Sequence, residues 1–142
     1  MTEPAVLPPI ELALESQVPA PEAWDMLTEP ERVALWFTDA SPLGPVGSTY
    51  RLDFGDGSVV AGRVLSVEPG VSFAHTWRWE GSEPQQETRV TWTVSPLDGG
   101  GSRISLVHDG WSEAGADEGQ RTEHEAYWQG YLADLRDVLA EG

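Results

Sequence analysis

Apolar and polar residues alternate along six segments of the chain, which is the pattern of β-strands with one buried face. The alternation is clearest in Val71–Trp79, where every second residue from Phe73 onward is aromatic. Short turns separate most of these segments, so they predict an antiparallel meander. Gly62, inside one segment, predicts a bulge or a close approach between strands. The predicted strands are Ile10–Val18, Thr49–Phe54, Val59–Val67, Val71–Trp79, Thr88–Ser95 and Ser102–Asp109.

Helical spacing of apolar residues marks three further segments. A short helix is predicted over Glu22–Leu27, and a second is predicted to run from Thr28, as its N-cap, to about Phe37. The third helix, Gln120–Glu141, carries one apolar face with Trp128, Leu132, Leu135 and Leu139. An apolar sheet face must be covered, and only this last helix is long enough, so we expect it to lie across the sheet.

Length and charge narrow the class of protein. The 142 residues suit a single domain, predicted over 10–142, with 1–9 as a flexible lead-in. There are 24 acidic residues against 8 basic ones, all Arg, which gives a formal net charge of −16. So acidic a surface repels nucleic-acid phosphates and anionic membranes, and neither is expected as a partner. The first residues lack the features of a signal peptide, and no apolar run is long enough to span a membrane; a cytoplasmic location is expected.

Several kinds of catalytic and binding site are not expected, because the chain lacks the residues or motifs that they require. The chain has no Cys, which excludes disulfides, zinc–thiolate sites and a Cys nucleophile. It has no nucleophile elbow and no glycine-rich nucleotide loop, and its three His do not form a metal-ligand motif. No cofactor and no metal are therefore expected.

Several short segments follow one another in a fixed order along the chain: WDMLTEPE at 24–31, LWF at 35–37, FGDG at 54–57, FAHTW at 73–77, ISLVHDG at 104–110 and the closing series His124, Trp128, Leu132, Leu135 and Leu139. Their order and spacing resemble the heat-shock-protein-90 ATPase activator homologue (AHSA1-like) family, within the START-like (SRPBCC) helix-grip superfamily. The resemblance extends from about Ile10 to Leu139. It implies an α+β helix-grip fold: a curved antiparallel sheet of about six strands, two short helices and a long C-terminal helix across the concave face. It also implies a link to stress response and a chaperone as a candidate partner.

Strand and helix parity point one set of residues into the space between sheet and terminal helix. We expect this space to bind a small apolar or aromatic ligand, since ligand sites are concave and mostly apolar. The alternative is that the seven Trp of the chain fill the space as a solid core. The candidate cavity residues are Trp36, Tyr50, Phe54, Phe73, His75, Trp77, Trp79, Trp92, Leu106, His108, His124, Trp128, Tyr131 and Leu135.

A second hypothesis is an enzyme. The superfamily resemblance includes polyketide cyclase and dehydratase chemistry, which requires an acid–base pair inside the cavity. His108 and His124 are the candidates, because they are predicted near the same end of sheet and helix. The sequence leaves binding module, enzyme and chaperone-interacting protein open.

Overall fold

The computed structural model describes residues 7–83 and 86–141. Residues 1–6 of the predicted lead-in, and residues 84 and 85 between the predicted strands Val71–Trp79 and Thr88–Ser95, lie outside this range. Along the chain the elements are β1 (Ile10–Ser16), α1 (Ala20–Thr28), α2 (Pro30–Val33), β2 (Asp39–Ala40), β3 (Thr49–Asp53), β4 (Val59–Glu68), β5 (Ser72–Trp79), β6 (Thr88–Pro96), β7 (Ser102–Asp109) and α3 (Glu118–Glu141).

The strands form one curled antiparallel sheet in the order β1-β7-β6-β5-β4-β3-β2. β1 pairs with β7, so the first and last strands of the chain are neighbours. The register aligns inward residues across strands: Trp92 of β6 lies opposite Phe73 of β5 and Leu106 of β7. The predicted helix-grip class is confirmed, with seven strands in place of about six.

Alternating burial along β6 and β7 confirms the period-two reading of these strands. β6 buries Val90, Trp92 and Val94, and it leaves Arg89 exposed. β5 departs from this pattern, because its residues 73–77 are all buried. The covering groups include Tyr50, whose hydroxyl donates a hydrogen bond to the Thr76 carbonyl oxygen.

The short helices differ from the prediction. Thr28 is the last residue of α1, and its hydroxyl donates to the Trp24 carbonyl oxygen at 2.9 Å, so its expected role as the N-cap of the next helix is wrong. α2 ends at Val33, so its expected extension to about Phe37 is wrong: Trp36 lies in the turn, and Phe37 in the bend, that follow the helix. The two-residue strand β2 was not predicted, because so short a segment shows no periodicity.

The terminal helix covers the concave face of the sheet, as predicted, and begins two residues early at Glu118. Trp128, Leu132, Leu135 and Leu139 are its buried residues. Tyr127 lies beside this face and is 47% exposed. At the start of the helix, the Arg121 guanidinium donates hydrogen bonds to the carbonyl oxygens of Pro8 and Pro9, which ties the preceding segment to α3.

Candidate functional site

Aromatic rings fill the centre of the space beneath α3. The Trp128 ring lies 5.1 Å from the Trp77 ring and 5.7 Å from the Trp92 ring, centroid to centroid. All three indoles are at least 95% buried. The space is therefore not one large chamber, and three smaller cavities remain around these indoles.

His108 connects the helix to the sheet at this centre. Its Nδ1 accepts a hydrogen bond from the Trp128 indole N–H at 3.0 Å. Because an indole only donates, the neutral ring carries its proton on Nε2, which donates to the Thr88 hydroxyl at 2.7 Å. The Thr88 hydroxyl donates in turn to the Trp77 carbonyl oxygen at 3.3 Å. Burial holds the pKa of His108 well below its usual value, so the ring stays neutral and orients Trp128.

His124 makes a second connection between α3 and the sheet. Its Nδ1–H donates to the Gln120 carbonyl oxygen at 2.8 Å, and its Nε2 accepts from the Trp79 indole N–H at 3.0 Å. Burial lowers the pKa of this ring as well. The rings of His108 and His124 lie 5.7 Å apart, so the structure brings the candidate acid–base pair together. All four ring nitrogens are already hydrogen-bonded, however, and neither ring can exchange a proton with a substrate without breaking one of these bonds.

The first cavity is apolar and measures about 60 Å³. Of the predicted residues, Trp36, Tyr50, Phe73, His75 and Trp92 line it. Ligand pockets usually measure about 300–1,000 Å³, so this cavity is too small for a typical ligand. The His75 Nδ1–H donates to the Thr76 carbonyl oxygen at 3.0 Å, and burial lowers the pKa of His75 to about 4.

The second cavity measures about 100 Å³ and lies near the start of α3. Trp77, Trp79 and His124 line it together with Trp111, which was not among the predicted residues. Trp111 packs against His108 with 4.3 Å between ring centroids, and its N–H donates to the His108 carbonyl oxygen. Trp111 lies in a loop after β7, where strand parity gives no guide to its direction.

The third cavity is a groove of about 260 Å³ between α3 and the ends of the neighbouring strands, here called the α3 groove. It is the only one of the three to approach the size of a ligand site. Of the predicted residues, Phe54, Trp77, His124, Trp128 and Tyr131 line it. Its remaining lining residues, which were not among the predicted cavity residues, are Phe37, Thr38, Asp56, Ser58 and Tyr127.

Trp77 has an unusual position in the groove wall. Its indole Nε1 is buried and has no hydrogen-bond partner within the part of the chain that the structure describes. The same indole lines both the α3 groove and the 100 Å³ cavity. A buried donor without a partner costs about 1–3 kcal/mol, and such groups are rare in folded proteins.

Three predicted cavity residues line none of these spaces. Leu106, His108 and Leu135 are at most 1% exposed and belong to the packed core. Strand and helix parity predicted that they point inward but not that neighbouring rings surround them.

Within residues 7–83 and 86–141, no three His, Asp or Glu side chains converge on a point that would hold a metal ion. Over the same residues, no helix has both the length and the apolar composition needed to cross a membrane.

Solved structures share this architecture. DynU16, a protein from the dynemicin biosynthetic locus, is 25% identical with a TM-score of 0.79; the match covers 92% of this chain and 46% of DynU16. The chain thus spans about half the length of that relative. CalU16 from Micromonospora echinospora is 24% identical with a TM-score of 0.73, over 89% of this chain and 73% of CalU16. PFC0360w, an HSP90 activator from Plasmodium falciparum, is 16% identical with a TM-score of 0.75, over 92% of this chain and 95% of that protein.

Among curated proteins, none matches the chain significantly. The model of one protein family does match, over residues 17–140, and its description is Activator of Hsp90 ATPase homolog 1-like protein. The matched range includes both short helices, β2 to β7 and nearly all of α3. The chain therefore belongs to the Activator of Hsp90 ATPase homolog 1-like family.

Proposed function

We propose that the protein binds a small ligand with an apolar or aromatic body in the α3 groove. The observation that carries this proposal is the groove itself, a space of about 260 Å³ walled by rings from both α3 and the sheet. Apolar area that a ligand buries there contributes about 25 cal/mol per Å². Because His108 and Thr88 fix Trp128 from behind, this part of the wall is formed before a ligand arrives.

The unpartnered Trp77 N–H supports a polar feature in the same ligand. Because this N–H is buried, a ligand oxygen would reach it only after a small shift of the surrounding side chains, and it would then accept from the indole and satisfy the donor. A ligand without a hydrogen-bond acceptor would leave the Trp77 N–H unpartnered. A ligand with an acceptor should therefore bind more tightly than one with the same apolar area and no acceptor.

One relative points the same way. DynU16 comes from the biosynthetic locus of dynemicin. A gene in a locus for making a small molecule is consistent with a protein that handles one.

Acetophenone and α-methylstyrene test the proposal, because they have the same shape and differ in a carbonyl oxygen replaced by a methylene group. Binding is followed by NMR through the indole ¹H–¹⁵N resonances, assigned with single Trp→Phe variants. We expect both probes to shift the Trp77 and Trp128 resonances saturably, with acetophenone roughly five- to tenfold tighter. In Trp77→Phe this difference disappears.

Ser58→Trp, which places an indole in the groove, should abolish binding of both probes. Ser66→Trp adds the same ring at an exposed position of β4 and serves as the matched control. If neither probe binds the unmodified protein, or if Ser58→Trp binds as well as Ser66→Trp, the proposal is wrong.

A second candidate function is interaction with an Hsp90-class chaperone, which the family match over residues 17–140 favours. The measurement is the ATPase rate of purified Hsp90 during titration with this protein. An increase that saturates is expected, and an unchanged rate at high excess would exclude the activator role.

A further inference from the structure

We infer that the α3 groove selects a positively charged ligand, an apolar body that carries a quaternary or protonated ammonium group. This inference rests on the proposed function and names the class of ligand that the site would take. Three features of the groove carry it: its aromatic lining, its single formal charge and the absence of a cation from its lining.

Aromatic side chains dominate the wall. Six of the ten lining residues are Phe, Tyr or Trp. The centroid of Phe37 lies 4.7 Å from that of Tyr131 and 5.6 Å from that of Phe54, so several rings border the same space. The face of an aromatic ring carries negative potential and attracts a cation within about 6 Å. One ammonium group in the groove would therefore contact more than one ring.

The single formally charged lining residue is Asp56. The Ser58 backbone N–H donates to its carboxylate at 2.9 Å, and this hydrogen bond lowers the pKa of Asp56. Asp56 lines the groove together with Tyr127 and Tyr131. Burial, and after it the negative charge of Asp56, raises the pKa of Tyr131. Glu123 adds a second carboxylate beside the groove, where it accepts a hydrogen bond from the Tyr127 hydroxyl.

No positive charge offsets these carboxylates in the lining. None of the described residues that border the groove is Arg, and the chain contains no Lys. Burial lowers the pKa of His124, which favours its neutral form, and its Nε2 accepts the Trp79 N–H. An anionic ligand would meet two carboxylates and a net charge of −16 with no counter-charge in the site. A neutral ligand gains nothing from this field, whereas a cation gains from both the rings and the carboxylates.

The test uses phenyltrimethylammonium and tert-butylbenzene, in which a carbon atom replaces the charged nitrogen, with benzenesulfonate as the anion. Binding is measured by the same indole resonances at low ionic strength. We expect phenyltrimethylammonium to bind about tenfold more tightly than tert-butylbenzene and benzenesulfonate not to bind. Added NaCl should weaken the binding of phenyltrimethylammonium and leave the binding of tert-butylbenzene unchanged.

Asp56→Asn removes the charge while its side-chain oxygen can still accept from Ser58. We expect this variant to bind phenyltrimethylammonium about fivefold more weakly and tert-butylbenzene unchanged. Asp98→Asn removes the same charge from an exposed turn elsewhere and should leave both affinities unchanged.

The outcomes separate the two proposals. If tert-butylbenzene binds as tightly as the cation, the charge selectivity is wrong and the proposed ligand-binding function stands. If Asp98→Asn weakens the binding of phenyltrimethylammonium as much as Asp56→Asn does, the effect comes from the net charge of the whole protein. The inference about this site is then overturned. If no probe binds at all, both proposals fail.

Discussion

Gly62 shows how one residue controls the spacing of two strands. A Cβ added there would stand 2.5 Å from the Thr76 carbonyl oxygen and 2.8 Å from the Tyr50 ring. The carbonyl belongs to the backbone of β5 and cannot rotate away. The close approach that the sequence allowed for at Gly62 is thus present, and the β-bulge lies nearby, between Val64 and Ser66.

Replacement of this glycine should therefore destabilise the protein. Gly62→Ala is expected to lower the free energy of unfolding by about 1–3 kcal/mol, measured by urea denaturation, because β4 must move away from β5. Gly130→Ala is the matched control: a Cβ added at this position of α3 meets no neighbouring group within 4 Å, and the substitution should raise the free energy of unfolding by up to about 1 kcal/mol. An equal effect of the two substitutions would contradict the steric argument.

At the scale of elements, two indole-to-imidazole hydrogen bonds fasten α3 to the sheet. Trp128 of α3 donates to His108 of β7, and Trp79 of β5 donates to His124 of α3. Each bond requires an imidazole nitrogen without a proton. Acid that protonates these rings removes the acceptors, and the helix loses both connections.

Stability should consequently depend on pH. A His whose pKa is lower in the folded than in the unfolded state favours folding above its unfolded pKa, and this contribution is lost as the pH falls. His75, lowered from 6.5 to about 4, accounts for about 2 kcal/mol of lost stability between pH 7.5 and pH 5. His108 and His124 shift in the same direction and add to the loss. Urea denaturation at a series of pH values measures this slope.

His124→Gln isolates the contribution of the helix. The Gln amide oxygen can accept the Trp79 N–H at any pH, so the variant should lose less stability on acidification than the unmodified protein. An unchanged slope would show that protonation of His124 does not weaken the docking of α3.

The elements that the sequence predicted well are those with a long repeat. Seven or more alternating residues gave β5, β6 and β7, and the buried series from Trp128 to Leu139 gave α3. The two-residue β2 and the end of α2 have no such repeat. Strand and helix periodicity also predicted that Trp77 and Trp128 point inward. Periodicity could not show how their rings pack against each other, and this packing determines where cavities remain. Asp56 was visible only as part of a turn, because nothing in its neighbourhood indicates that the turn faces α3.

For the whole molecule, repulsion among acidic side chains is the main electrostatic feature. The net charge is −16, and most of the ion pairs among the described residues are exposed at the surface, as in the pair of Arg103 with Glu15. Exposed pairs contribute about 0–1 kcal/mol each, so we expect repulsion to prevail over attraction at the surface.

Screening of this repulsion should stabilise the fold. We expect the Tm to rise as NaCl increases from 0.02 to 0.3 M, by roughly 4 °C for each 1 kcal/mol of repulsion removed. Calorimetry or circular dichroism measures the shift, with KCl as a control for a specific ion effect. A Tm that falls with salt would mean that attractive pairs outweigh repulsion.

The two outer strands of the sheet have a consequence for behaviour at high concentration. β2 at one margin has only two residues, and β1 at the other has α3 packed against it. A cross-β aggregate grows when further strands pair with a long sheet edge whose backbone N–H and C=O groups are unpaired. An edge strand that is short, or that has a helix packed against it, pairs less readily in this way. The native molecule should thus remain dispersed in concentrated solution, and we expect detachment of α3 from β1 to favour fibril growth.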